Sequence, residues 1–201
     1  LVMQAPLLLV VPAASPFKTV ADVVQAAKAR PGHLTYASAG NGSATHMNAE
    51  VFRLAAGIDA QHVPYRGTPE AMTETMGGRI DWFFAPLVSA MPLIRDGKLQ
   101  ALAVGTEKRS SQLPNVPTTV EAGVPGSSYQ FWVGLFAPAK LPPTQVTKLN
   151  SEVAHVMALP EIKDRLDKLG AEPFVMSSDA FQAFLVKETA RAAGGVNRGG
   201  G

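Results

Sequence analysis

A glycine-rich loop between a predicted strand and a predicted helix is the most informative chemical feature of this sequence. It reads TYASAGNGS over residues 35–43, and Gly40 and Gly42 allow a ligand to approach the backbone closely. Ser43 is placed to cap the following helix, whose first-turn amides favour an anion. A small carboxylate would fit here without any Lys or Arg, although the same residues also suit a tight turn that binds nothing.

Two further loops are expected at the same edge of a sheet. VPYRGT over residues 63–68 joins a strand to a helix with Thr68 as its predicted N-cap, and an apolar strand over 80–84 ends at Ala85 and Pro86. Because successive parallel strands end on one side of a sheet, the three loops can face one crevice. None of them supplies a general base or a nucleophile.

The sequence does not favour a hydrolytic or a metal centre. It has neither a G-x-S-x-G nor an H-E-x-x-H motif, no pattern that places a Ser, a His and an acid together, and no Cys. His46 and Glu50 have the i, i+4 spacing of metal ligands, but no third ligand is near them, and an ordinary helix pair is the simpler interpretation. We therefore predict no catalytic residue, no metal and no cofactor.

The composition is that of a folded protein with a packed core. The 201 residues are 46% hydrophobic and carry a net charge of +2 without a basic stripe, so nucleic acid is not an expected partner. No run approaches eighteen apolar residues, which argues against a membrane span. The run LLLVV over residues 7–11 lacks a preceding basic region and is predicted to be a buried strand, not a signal peptide.

Short apolar strands alternate with amphipathic helices over the first two thirds of the chain, which indicates a mostly parallel α/β sheet. A capping box of Thr19 and Asp22 starts the first helix. Residues 110–128 are rich in Pro, Gly and Ser and are predicted to cross a surface. The last third is predicted to hold one strand over 131–137 and three helices, the second of which includes Leu169 and is capped by Gly170.

These motifs resemble, in order and spacing, those of the substrate-binding proteins of tripartite tricarboxylate transporters, the Bug/TctC family. The resemblance covers about Leu7 to Arg191. It is carried by LTYASAGNGSATH (34–46), HVPYRG (62–67), GGRID (77–81), GKLQALAVGT (97–106) and LPNVPTTVEAGVPG (113–126).

The resemblance implies an α/β, periplasmic-binding-protein-like fold of the type II Venus-flytrap kind. It implies one complete α/β lobe and only the C-terminal part of the other, with roughly the first hundred residues of the family's N-terminal lobe lacking. The expected divisions are 1–18, a crossover strand of lobe 1; 19–106, lobe 2 with the ligand loop 38–43; 107–130, a crossover segment; 131–193, the C-terminal strand and helices of lobe 1; and 194–201, a Gly-rich tail.

The family also implies a function. Its members are extracytoplasmic receptors, not enzymes, which capture a small carboxylate or dicarboxylate in an interlobe cleft and deliver it to membrane permease subunits. The resemblance therefore implies a periplasmic protein that is not embedded in the membrane and is a monomer when complete. A ligand-sensing lobe for a signalling partner is the alternative, and an α/β-fold enzyme is a further one, which would need a titratable pair with a nucleophile or base in the crevice.

The family's ligand loop falls on one short segment of this sequence. Ser43 and the amides near Gly42 are expected to hold one carboxylate, and His46 is expected to brace the loop. Thr68 is expected to support the opposite wall or a bridging water. Ala85 stands where the family commonly has Asp, which favours a simple or apolar organic acid. The predicted ligand-binding residues are Ser38, Ala39, Gly40, Gly42, Ser43, Thr68 and Ala85.

Overall fold

The structure is a computed structural model that describes residues 2–168 and 170–199 of the chain. It divides into two compact units, a larger one over Pro6–Gln130 and a smaller one that combines the residues before it with those after it. The elements in chain order are β1 (Met3–Ala5), β2 (Leu7–Pro12), α1 (Val20–Ala29), β3 (Thr35–Ser38), α2 (Ala44–Ala56), β4 (Gln61–Pro64), α3 (Thr68–Met76), β5 (Trp82–Pro86), α4 (Leu87–Arg95), β6 (Leu99–Val104), β7 (Phe131–Val133), α5 (Pro143–Ala158), α6 (Pro160–Lys168), β8 (Glu172–Pro173) and α7 (Ser178–Gly199).

The larger unit is built on a five-stranded sheet in the order β4-β3-β5-β2-β6. Strand β3 pairs in parallel with both β4 and β5, as the alternation of strands and helices predicts. Strand β2 is antiparallel to both of its neighbours, β5 and β6, so the sheet is mixed. Since β3, β4 and β5 share one direction, their C-terminal ends lie at one edge of this sheet.

The position of β2 corrects one expectation. We expected this strand, as part of the segment 1–18, to be a crossover strand of lobe 1. It lies instead in the interior of the larger unit's sheet, and all six of its residues are buried. The reason is its composition: a continuous apolar run suits a strand that is covered on both faces.

Side chains from both faces of β5 form the core of the larger unit. Trp82 and Phe84 meet Phe52 of α2 edge to face, at ring-centroid distances of 5.6 Å each. Phe83 and Ala85, one residue out of phase with them, belong to a separate cluster with residues of β2, α3 and α4. The helices follow their predicted signals: Thr19 and Asp22 form the capping box of α1, and Gly57 ends α2 in a left-handed conformation with φ 61°.

Three local predictions differ from the structure. Thr68 is the first helical residue of α3, and its neighbour Gly67 is the N-cap without a side-chain hydrogen bond. The strand predicted to continue to residue 137 ends at Val133. The segment 110–128 does not only cross a surface, because it pairs with the end of β6 through Val104 and Thr118 and buries Thr118, Thr119, Val124 and Ser127.

The smaller unit contains a three-stranded antiparallel sheet in the order β7-β1-β8. Met157, Leu166 and Ala171 form its buried cluster. Helix α7 extends to Gly199, through part of the region expected to be a Gly-rich tail. Leu169, predicted to lie in the second helix of this region, and the tail residues Gly200 and Gly201 lie outside the described residues. No helix within 2–168 and 170–199 has the length and apolar character that crossing a membrane requires.

Gly105, which follows β6, and Asn48 of α2 are packed too closely for a larger residue at position 105. A Cβ added at Gly105 would lie 2.5 Å from Nδ2 of Asn48, which is itself fully buried. We expect Gly105→Ala to lower the free energy of unfolding by about 1–3 kcal/mol, since the neighbour must shift in a dense core.

The same contact predicts non-additivity that urea denaturation can measure. Adding Asn48→Ala should restore most of the lost stability, with a coupling of at least about 1 kcal/mol. Gly67→Ala is the matched control, because a Cβ there would lie at an ordinary 3.6 Å from Pro69. If the effects of Gly105→Ala and Asn48→Ala on the free energy of unfolding are additive, the proposed contact between these two residues is contradicted.

Candidate functional site

The glycine-rich loop lies where β3 ends and α2 begins, next to the loop that follows β4. Ser38 is the last residue of β3, and its carbonyl oxygen accepts a hydrogen bond from the Tyr65 amide at 3.0 Å. Gly40 comes close to the Tyr65 carbonyl, since a Cβ added at Gly40 would lie 3.4 Å from that oxygen. The parallel pairing of β3 and β4 therefore brings two of the predicted loops together.

Most backbone amides of this loop already have acceptors within the loop or on the adjoining residues of β3 and α2. Four of the five residues before α2 donate a hydrogen bond to a neighbouring side chain or carbonyl, so their N–H groups are not available to a ligand in this conformation. The acceptors are Thr45 Oγ1 for Ala39 (2.8 Å), Ser38 Oγ for Gly40 (3.1 Å), His46 Nδ1 for Gly42 (3.1 Å) and the Gly40 carbonyl for Ser43 (3.2 Å).

The first turn of α2 offers donors that the loop itself does not. The Ser43 hydroxyl caps the helix by accepting a hydrogen bond from the His46 amide at 3.3 Å. For the amides of Ala44 and Thr45 there is no acceptor among the described residues, as expected for the first positions of a helix. The Ser43 hydroxyl also lies 3.0 Å from Thr45 Oγ1. The two amides, at the positive end of the helix dipole, are donors that suit an anion without a cationic side chain.

Next to the loop, four aromatic side chains form a column of stacked rings: His46, His62, Tyr36 and Trp82. His46 and His62 stack with their ring centroids 4.1 Å apart, and Tyr36 stacks on both His62 and Trp82 at 5.0 and 4.7 Å. Nε2 of His62 is 2.7 Å from the Ser38 hydroxyl. This column was not predicted from the sequence, although the parallel register that pairs Tyr36 with His62 and with Trp82 would have indicated the stacking of those three rings once the strand order was known.

The surroundings of the two histidines of this column lower their pKa values. Burial lowers the pKa of His46, and the nearby Arg53 lowers it further, against the opposing effect of Glu50. Burial and the adjacent His46 together lower the pKa of His62 to about 4. Glu50 is itself bound by the Tyr36 hydroxyl and by Arg53, which lies 2.8 Å away.

The contact between Ser38 and His62 brings a serine and a histidine together, which we did not predict. The pair lacks the features of a nucleophile and its base, because Ser38 is fully buried and its oxygen already accepts the Gly40 amide. The neighbouring carboxylate, Glu50, is engaged by Tyr36 and Arg53. In the described part of the chain, no group of three or more His, Asp or Glu side chains is placed to hold a metal ion.

The remaining predicted site residues take different positions. Thr68 begins α3, is partly exposed, and follows the Tyr65 loop that contacts Gly40. Ala85 is 0% exposed and packs in the core beside Leu8. The structure therefore places Ala85 in the core, and the strand continues one residue further to the partly exposed Pro86.

Comparison with known proteins identifies a family for the whole chain. The family model described as "Tripartite tricarboxylate transporter family receptor" matches residues 1–198. A curated relative, the UPF0065 protein in the tcbD-tcbE intergenic region of Pseudomonas sp. strain P51, is 35% identical over 187 residues, which cover 92% of this chain and 56% of the relative. The chain thus spans about half the length of the curated relatives it matches.

Several solved structures share the fold with sequence identities of 30% or more, and two of them carry a named ligand. Rpa4515 of R. palustris, solved with adipate, superposes with a TM-score of 0.88 at 33% identity and covers 98% of this chain and 66% of that one. MatC from Rhodopseudomonas palustris, solved with bound malate, superposes with a TM-score of 0.83 at 30% identity and covers 96% of this chain and 67% of that one.

Proposed function

We propose that this chain, which belongs to the tripartite tricarboxylate transporter receptor family, captures a small carboxylate or dicarboxylate. The proposed binding position is the N-terminal end of α2. The observation that carries the proposal is the pair of amides at Ala44 and Thr45, which lack acceptors in the described structure beside the Ser43 hydroxyl. Donors of this kind suit a carboxylate. The adipate and malate in the two related structures are dicarboxylates, which supports this class of ligand.

The proposed ligand-binding residues belong to the loop and to the first turn of α2, and the role of each follows from its hydrogen bonds. Ser43, Ala44 and Thr45 donate to the carboxylate, and Ser38, Ala39, Gly40 and Gly42 hold the loop in shape. Thr68, at the start of α3, supports the adjoining wall or a bridging water. Ala85 has no exposed surface, so its proposed role is to shape the pocket from the core beneath this wall.

The wider role follows from the family description. We propose that the complete protein closes on its ligand in an interlobe cleft and delivers it to the permease subunits of the transporter. A receptor that feeds an uptake system works on the side of the membrane where uptake starts, so its place is the periplasm. No catalytic step is part of this proposal, since Ser38 of the serine–histidine pair is buried and its oxygen already accepts the Gly40 amide.

A thermal-shift panel of mono- and dicarboxylates, on protein produced from the complete reading frame, tests this function. Protein unfolded and refolded before the assay has lost any copurified ligand. We expect one class of carboxylate to raise Tm with concentration, because a ligand at 100 times its Kd stabilises the native state by about 2.7 kcal/mol. The matched controls are the neutral amides of the same acids, which should not raise Tm.

Two outcomes would contradict the proposal. One is a rise in Tm that is equal for the acids and their amides, since it would exclude recognition of the carboxylate charge. The other is a constant Tm across the panel with refolded protein whose circular dichroism spectrum is native.

A further inference from the structure

The glycine at the exposed turn of the ligand loop is held by a single imidazole nitrogen. The Gly42 amide donates to Nδ1 of His46 at 3.1 Å. Gly42 itself is exposed and has φ 75°, a conformation that other residues rarely adopt. Its contact with His46 therefore joins the turn of the loop to the first part of α2.

This hydrogen bond requires the imidazole ring of His46 to be neutral. An N–H can donate to Nδ1 only when that nitrogen carries a lone pair, so the ring must be neutral with its proton on Nε2. A protonated imidazole carries N–H groups at both nitrogens and has no acceptor to offer Gly42. The loop contact and the charged ring exclude each other.

The surroundings of His46 oppose its charged form. His62 stacks on it at 4.1 Å, so protonation of both rings would bring two positive charges together. Arg53, on the same helix, also disfavours a charge on His46, and burial acts in the same direction to lower its pKa. Glu50 favours the charged form, but its carboxylate is already paired with Arg53 and accepts the Tyr36 hydroxyl.

We infer that His46 is a positioning residue that keeps the ligand loop in its binding conformation only while the ring is neutral, so that acidification releases the loop and weakens binding of the carboxylate. The inference rests on the proposed function for its ligand and on the contacts of Gly42 for its mechanism. The sign follows from the bond: it is present above the pKa of His46 and lost as the pH falls through it. A charged ring would also attract an anion, so affinity that increases as the pH falls would overturn the inference.

The loop contact can be tested without any ligand. On protein from the complete reading frame, we expect a ¹⁵N–¹⁵N coupling across the hydrogen bond between the Gly42 amide and His46 Nδ1 at pH 7.5. This coupling should disappear in the pH range where the His46 ring signals titrate. A Gly42 amide that shows no coupling at pH 7.5, or whose coupling persists after His46 has titrated, would overturn the inference.

Two substitutions of His46 then test the effect on binding, with the carboxylate that gives the largest thermal shift as the probe. Neither Asn nor Leu titrates at this position, but His46→Asn keeps an acceptor for the Gly42 amide whereas His46→Leu removes it. At pH 7.5 we expect calorimetric affinity within about threefold of the native value for His46→Asn and a loss of at least tenfold for His46→Leu. Between pH 7.5 and 4.5 the native protein should lose about tenfold more affinity than His46→Asn, which corrects for titration of the ligand itself.

The outcomes separate the two proposals. Equal pH profiles for the native protein and His46→Asn, with binding at pH 7.5 intact, would overturn the role of His46 and leave the receptor function standing. If no carboxylate binds at any pH, the receptor function fails. The proposed effect of the loop conformation on binding then fails as well. The ¹⁵N–¹⁵N coupling still decides whether His46 Nδ1 accepts the Gly42 amide.

Discussion

Replacing Ser43 by Asp is expected to weaken carboxylate binding about 100-fold or more, which corresponds to about 2.7 kcal/mol. Asp caps a helix as well as Ser does, so α2 should keep its start at Ala44. The added charge would lie beside the amides of Ala44 and Thr45 and would repel a ligand carboxylate there, and like charges placed together cost several kcal/mol. Isothermal titration calorimetry with the carboxylate identified by thermal shift measures the effect.

Ser43→Asn is the matched control for this experiment. Asn has nearly the same shape as Asp and is an equally good N-cap, but it carries no charge. We expect its affinity to stay within a few-fold of the native value. Equal losses in both variants would show that the hydroxyl or its size matters and not the charge, and no loss in Ser43→Asp would remove the carboxylate from the start of α2.

Trp82→Ala is expected to have the largest effect on stability, a loss of about 3–5 kcal/mol in the free energy of unfolding. The ring is fully buried on β5, where it stacks on Tyr36 at 4.7 Å and meets Phe52 at 5.6 Å. Removing it leaves a large cavity between the sheet and α2. Since a whole domain is stable by only about 5–15 kcal/mol, the variant should unfold at a much lower urea concentration.

The measurement needs a probe other than tryptophan fluorescence, because the substitution removes one of the two tryptophans. Urea denaturation followed by circular dichroism meets this requirement. Trp82→Phe is the control: it keeps an aromatic ring for Tyr36 and removes an indole nitrogen that has no partner in the described structure, so it should cost much less. A loss below about 1 kcal/mol for Trp82→Ala would contradict the packing described above.

The sequence was sufficient to predict most of the elements but not how all of them pair. The apolar run at Leu7–Pro12 and the capping box at Thr19 each identified an element correctly, because strand burial and helix capping depend on local residue types. The partners of β2 were not predicted. They are β5 and β6, far along the chain, and nothing local in an all-apolar strand specifies its direction or its neighbours.

The candidate site shows the same division between local and distant determinants. The Ser43 cap follows from a serine before a helical pattern and could be predicted. The acceptors of the Ala39 and Gly42 amides are side chains of α2, Thr45 and His46, and depend on how the loop bends back on the helix. The stacking of His46 on His62 could not be predicted, because it joins a helix to a strand through tertiary packing.

The interior position of β2 in the sheet also bears on how the chain is synthesised and folded. Leu8 pairs with Ala85 and Val104, so the strand emerges from the ribosome about 77 residues before its first partner, which takes about 4–15 s at roughly 5–20 residues per second. During that time LLLVV is a short, uncharged segment with a high tendency to form intermolecular β-structure. Early protection of this segment, by a chaperone or by transient collapse, is therefore a condition for a high yield of folded protein.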